Sequence, residues 1–413
     1  MSVGHLRTQP IEIAFSDGSS VDAFGRLRVS SPTAYIFDAQ FTYDLQPLLW
    51  EPITAETGAT VTHDATNRQA VMTFSSTPTG GKAYLQSFEH FRYQPGRSQQ
   101  TFITFNFIET TANCLKFVGY SDGSNGIELQ QSGSTVQFVL YSDTSNGDQT
   151  VAQANWNLDK MDGTGPSGIT LDLTKQQLLI IDFQALYSGR VRVGFDIGGI
   201  VHYVHQFLHA NVVASPYMQS ANLPIRAGMT CTGTVSTTMH FTCSSVVSEN
   251  GQAGAVEGFT FSAEGTATAG NGTRTHVLSI RPRTTFNSIV NRAKYVPEAI
   301  NILVTGVNPV LWELCLGQAT TTPSYANVNT SFSAFDFDTT GTISGSPAIV
   351  TSSGYVASSA VVNGGQSANL IVRYPITLDA AGAVRANGTV SVIATGLGGA
   401  SAMRASLLWR EIR

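Results

Sequence analysis

Three groups of residues have the types and spacing for chemistry. The first is His202, His205 and His209 in "HYVHQFLH" (202–209). A zinc site needs imidazole nitrogens that converge on one point. On a strand, positions 202 and 205 point to opposite faces, while 205 and 209 share one. The three meet only if the strand ends between them, and otherwise they are separate surface or partly buried histidines. The second is Asp336 and Asp338 in "FDFD" (335–338). They share one strand face about 6.5–7 Å apart, a spacing that a glycosidase carboxylate pair allows. Enzymes set such acids in a cleft of opposing elements, and an exposed polar face alternating with Phe335 and Phe337 explains the pair without catalysis. The third is a pair of similar turns, "YSDGSNG" (120–126) and "YSDTSNGD" (141–148). Both offer Asp and Asn, as calcium or sugar loops do, but neither has EF-hand spacing. Ordinary Asx-turn chemistry is the alternative.

Several signatures are missing. "LDKMDGTGPSG" (158–168) is Gly-rich but lacks the Lys-Ser/Thr ending of a P-loop, and no HExxH or GxSxG occurs. The four cysteines, Cys114, Cys231, Cys243 and Cys315, form no CxxC pair. The expectation is a non-enzyme without cofactor or metal.

One short segment carries unusual charge for its surroundings. In "SVDAFGRLRVSS" (20–31), Leu27 and Val29 face one side of an extended chain, and Arg26 and Arg28 the other. A strand with no partner in its own unit adds to a sheet elsewhere. Phe24, Arg26, Leu27, Arg28 and Val29 are therefore expected to dock on a neighbouring protein, with arginines paired to carboxylates there. Trp50, in "LQPLLWEP" (45–52), is the expected hydrophobic anchor of the same arm.

The elements that must position these residues are strands. Charged residues make up 12% of the 413, against about 25% in an average soluble domain. The 39 glycines suit many tight turns. "QLLIIDF" (177–183) reads as a buried strand. "RVRVGFDI" (190–197) alternates, with Val191, Val193, Phe195 and Ile197 inward and Arg190, Arg192 and Asp196 outward. Gly198-Gly199 then turns the chain into "IVHYVHQF" (200–207). "NGIELQQSGSTVQFVLY" (125–141) reads as a hairpin turning at Ser132-Gly133-Ser134. Strands continue after residue 258, for example "AINILVTG" (299–306), "VLWELCLG" (310–317) and "NLIVRYPI" (369–376), whereas 318–365 reads mostly as loops.

The expected fold is all-β: an N-terminal extended arm (1–50), a jelly-roll-like β-sandwich (51–250), a Gly/Ala-rich linker (251–258) and a second C-terminal β-domain (259–413). A net charge of −5 argues against a nucleic-acid surface. No apolar run reaches the length of a membrane span, and "MSVGHLRTQP" has no apolar core of a secretory signal.

Four motifs together carry a family resemblance: "DAFGRLRVS" (22–30), "FRYQPGRSQ" (91–99), "WNLDKMDGTGPSGITLDLTKQQLLIIDFQ" (156–184) and "GRVRVGFDIGGIVHYVHQFLHAN" (189–211). They resemble a family of virion structural proteins from tailed bacteriophages, and "RPRTTFNSIVNRAKYVPEAINILV" (281–304) looks like that family's C-terminal half. The resemblance implies a structural part of the tail, baseplate, neck or fibre, assembled in the host bacterial cytoplasm. Its partners would be other virion structural proteins and further copies of itself. The alternatives are a capsid decoration or head fibre, and a carbohydrate-binding appendage that recognises a host-surface glycan.

Overall fold

The computed structural model describes residues 34–184, 186–249, 258–347, 349–358, 365–370 and 376–413. Among them the regular structure is strand, with one short 3-10 turn at Gln153–Asn155.

The first unit is a jelly-roll-like sandwich of two antiparallel sheets. One runs in the order Ile200–Phe207, Val191–Ile197, Gln177–Phe183, Gln99–Asn106, Val235–Ser248, Gln69–Thr77, Ala59–Asp64. The other runs Gln149–Ala152, Thr135–Tyr141, Gly126–Ser132, Cys114–Ser121, Ile225–Cys231, Lys82–Ser87, Trp50–Ala55. Neighbours such as Gln99–Asn106 and Val235–Ser248 are remote in sequence, as long sheet-crossing connections require. The inward faces close on an aromatic core that includes Phe74, Phe105, Tyr120, Phe138, Phe183 and Phe195.

Local sequence explains the clearest of these elements. "QLLIIDF" forms Gln177–Phe183 in the middle of its sheet, where both faces are covered. Gly198 and Gly199 have φ of 66° and 82°, the two left-handed positions of a type I′ hairpin. The 125–141 segment forms its hairpin with Ser132 opposite Thr135.

Three expectations change in this unit. Residues 34–50, assigned by sequence to the arm, belong to the sandwich: Ala34–Gln40 pairs with the end of Val235–Ser248. Trp50, expected as a docking residue, is wholly buried in this core. Its ring centroid lies 5.7 Å from Phe37, 5.8 Å from Phe41 and 5.3 Å from Phe241, so it presents no surface to a neighbour. Arg192, expected outward, is fully buried. Its Nη2 lies 2.7 Å from Asp182 Oδ2, which also accepts from Tyr203 Oη at 2.9 Å, while Asp182 Oδ1 accepts from Ser98 Oγ at 2.7 Å. A charge can stay on a covered face when such partners replace water.

The second unit pairs a four-stranded sheet with a six-stranded one. The first has the order Phe259–Ala269, Ser401–Ile412, Lys294–Val304, Gly365–Asn369. The second has the order Ala326–Asn327, Phe335–Asp338, Thr275–Pro282, Val390–Gly396, Val310–Leu316, Ile349–Val356. Trp312, Tyr295, Trp409 and Phe335 fill the space between them. The stretch read as loops contains Ile349–Val356, whose Ser/Thr/Gly-rich sequence is a strand because Val310–Leu316 supplies a full ladder of partners. Residues 251–257 of the expected linker and 371–375 of "NLIVRYPI" lie outside the described residues.

Candidate functional site

The two units meet along a polar seam. Glu51 Oε2 accepts from the Ala380 backbone N–H at 2.8 Å, and Thr377 Oγ1 donates to the Phe88 carbonyl at 3.1 Å. Lys294 Nζ lies 2.5 Å from Glu89 Oε1. The Arg385 guanidinium sits over the Phe88 ring, 3.3 Å from its centroid. Arg292 steadies the same segment, donating to the carbonyls of Asp379 at 2.7 Å and Ala380 at 3.0 Å.

Beside this seam opens a cleft of about 610 Å³ that both units line. The first wall brings together the two similar turns that the sequence offers. In one, Asp122 Oδ1 accepts from the N–H groups of Ser124 at 2.8 Å and Asn125 at 2.7 Å, which holds the turn between two strands. The other contributes exposed Asp143. It is stapled from behind, with Asn146 Nδ2 donating to the carbonyls of Ser215 and Pro216, each at 2.8 Å. The segment 219–222 lies between them. Gln219 N–H donates to Asn125 Oδ1 at 2.8 Å, and Tyr93 N–H donates to Asn222 Oδ1 at 3.0 Å. These bonds commit both amide oxygens. The Nδ2 groups of Asn125 and Asn222 make no hydrogen bond among the described residues.

The opposite wall is the hairpin Thr285–Phe286 to Ile289–Val290. Asn287 and Ser288 have φ of 50° and 65°, the paired left-handed residues of a two-residue turn, where Asn is favoured and Ser is strained. Its base is pinned by buried Asn291, whose Nδ2 donates to the carbonyls of Arg283 at 3.0 Å and Ala334 at 2.8 Å. The tip leaves Ile289 72% and Val290 45% exposed.

His90 borders the floor and is 7% exposed. Burial, and then the nearby Arg292 cation, push its pKa down to about 3, against a bond to the Phe88 carbonyl. The imidazole is therefore neutral at physiological pH, and among the described residues its Nε2 has no hydrogen-bond partner.

The other sequence candidates do not assemble into sites. His205 is buried, with Nδ1 accepting from Asn157 N–H at 3.2 Å, and burial lowers its pKa to about 4. His209 Nδ1 donates to the Gly189 carbonyl at 2.7 Å, and its ring stacks on Tyr217. His202 stands opposite Phe195. Among the described residues, no group of three His, Cys, Asp or Glu side chains could hold a metal. Asp338 is buried, which corrects the expected exposed face. It accepts from the N–H groups of Ser324 at 2.9 Å, Thr340 at 3.0 Å and Gly341 at 3.0 Å, and from Thr340 Oγ1 at 2.7 Å. Burial would raise its pKa, but these donors together lower it. Asp336 faces Arg283 at 4.0 Å, and burial raises its pKa. Asp338 thus organises loops. Phe24, Arg26, Leu27, Arg28 and Val29 lie outside the described residues.

The sequence signal for the cleft was the likeness of the two Asp/Asn turns. The hairpin wall, Arg292 and His90 carried no comparable signal, since they reach the cleft only through the packing of the second unit on the first.

No helix among the described residues is long and apolar enough to cross a membrane. No family model and no curated protein matches the chain. Among solved structures, similarity is found to an endo-1,3-β-glucanase from Streptomyces sioyaensis, at 10% identity over 54% of this chain and 99% of that one, TM-score 0.37. A carbohydrate esterase from the Shiga toxin-encoding bacteriophage phi24B is similar at 12% identity over 53% of this chain and 100% of that one, TM-score 0.33. The receptor binding domain of botulinum neurotoxin type G is similar at 9% identity over 60% of this chain and 57% of that one, TM-score 0.31. Likeness at this level carries no argument about what the chain binds or catalyses.

Proposed function

We propose that the chain is a non-enzymatic structural component of a tailed-bacteriophage virion, at a tail, baseplate, neck or fibre position. It joins neighbouring virion proteins through its N-terminal segment, and its copies form a closed symmetric oligomer. The sequence resemblance motivates the reading, and one observation carries it. Ala34–Gln40 is fastened into the first sheet, so the segment bearing Arg26 and Arg28 is tethered to the sandwich there. Tyr35 is 71% and Tyr43 87% exposed beside this tether, and tyrosine is enriched where surfaces meet partners. The test is incorporation of variants into purified particles. Arg28→Ala and Leu27→Ala should each lower incorporation, and Arg28→Lys should do so too, since a point charge does not replace a bidentate fork. Normal incorporation of Arg28→Ala would overturn the docking reading.

The cleft favours a second reading within the same class, in which the component also recognises a carbohydrate of the host surface.

A further inference from the structure

Resting on that second reading, we infer that the cleft between the two units binds a neutral saccharide, with the Asn125 and Asn222 amides and the Asp122 and Asp143 carboxylates reading its hydroxyls and the 286–290 hairpin covering its apolar face.

The cleft offers donors and acceptors side by side. Asn125 is 4% exposed and Asn222 partly buried. Their amide oxygens are committed to backbone N–H groups, so each presents Nδ2 as a donor. Asp122 uses Oδ1 for its own turn and makes no hydrogen bond through Oδ2 among the described residues, and Asp143 is exposed. A hydroxyl both donates and accepts, so adjacent hydroxyls on one ring satisfy such a mixed set, whereas a group that only donates or only accepts leaves half of it unpaired.

Charge narrows the class. The two carboxylates repel an anion. The two cations that line the cleft are already engaged: Arg292 donates to two carbonyls of its own unit, and Arg413 donates to the Phe332 carbonyl and the Glu411 carboxylate. A cationic ligand would meet Arg292 and Arg413 beside a histidine that stays neutral. The unpartnered Nε2 of His90 behind these groups is an acceptor for a water or hydroxyl carried in with the ligand.

The hairpin supplies the remaining part. Ile289 and Val290 stand out from the second unit on a turn that costs backbone strain at Ser288. Nothing among the described residues covers Ile289, which is the most exposed side chain on the cleft's apolar wall. A sugar ring presents C–H groups on one face and hydroxyls at its rim, which matches an apolar wall opposite a polar one.

The experiment is calorimetric titration of the full chain with neutral oligosaccharides (maltohexaose, cellohexaose and a mannose oligomer) and with the anionic polymers polysialic acid and alginate. The expected result is saturable binding of a neutral oligosaccharide with Kd at or below about 1 mM. Asn125→Asp keeps the acceptor for Gln219 and removes the donor, so it should weaken binding about tenfold. Ile289→Ala, on an exposed side chain that the fold does not need, should weaken it several-fold with an unchanged melting temperature, and it decides the matter if Asn125→Asp fails to fold. Neutral-sugar binding that both variants leave intact overturns the assignment to this cleft. Binding of the anionic polymers alone overturns the inference and leaves the carbohydrate reading standing. No binding of any saccharide at about 10 mM overturns both, while incorporation into particles is measured separately.

Discussion

Lys294 Nζ of the second unit lies 2.5 Å from Glu89 Oε1 of the first. Glu89 precedes His90, and Lys294 follows Arg292 by two residues, so this pair joins the two sides of the cleft floor. Both side chains are more than two-thirds covered. A double-mutant cycle of Glu89→Gln and Lys294→Met should return a coupling of about 1 kcal/mol, the upper end for pairs that water still reaches. Chemical denaturation measures it, and additive effects would show that the contact does not hold the units together.

The seam should also respond to pH through Glu51. Burial is the largest influence and raises its pKa; the Ala380 N–H opposes it, Asp379 adds to it, and Arg385 and Arg292 oppose it. The folded state therefore holds the Glu51 proton more tightly than the unfolded chain does. That contribution is complete below the ordinary value of 4.5 and is lost as pH rises through the folded value. Glu51→Gln keeps an acceptor for Ala380 and removes the ionisation. The variant should melt close to the wild type at pH 4 and above it at pH 7, in parallel thermal scans. A lower melting temperature at pH 7 would mean that the charge itself stabilises the seam.

Asp338 should be structural. Asp338→Asn removes one of two acceptor oxygens that together take four hydrogen bonds, and should destabilise the chain by about 2 kcal/mol. Because the folded pKa is lowered, the wild-type advantage is present above the ordinary 3.8 and fades as pH falls through the folded value. Urea unfolding at pH 7 and pH 3 checks both statements.

Arg192→Met should be the most damaging of these substitutions. It removes a fully buried guanidinium that lies 2.7 Å from buried Asp182, a loss of about 3–5 kcal/mol. Adding Asp182→Asn should recover part of it. Wild-type stability of the single variant would show that Asp182 does not depend on Arg192.

Sequence patterning carried the all-β class and several strands, because buried strands such as Gln177–Phe183 and turns such as Gly198-Gly199 depend on residues close in the chain. Alternation failed at Arg192 and Asp338. It reports which side of a strand a residue takes, but not whether that side is covered by something remote. Trp50 was misread for the same reason: its neighbours Phe37, Phe41 and Phe241 include one almost two hundred positions away. The cleft was legible only in part. The two Asp/Asn turns are recognisable as a pair, but their convergence with Phe286 and Arg292 depends on how one sandwich packs on the other.

The central claim is that the chain is a virion part held by its N-terminal segment. Quantitative mass spectrometry of purified particles, from a phage encoding the chain without residues 1–31, tests it most directly. The account predicts that the truncated chain is made and melts at the wild-type temperature, yet is missing from particles that contain the full-length chain. Particles carrying the truncated chain at the wild-type copy number, or wild-type particles that lack the chain altogether, would contradict it.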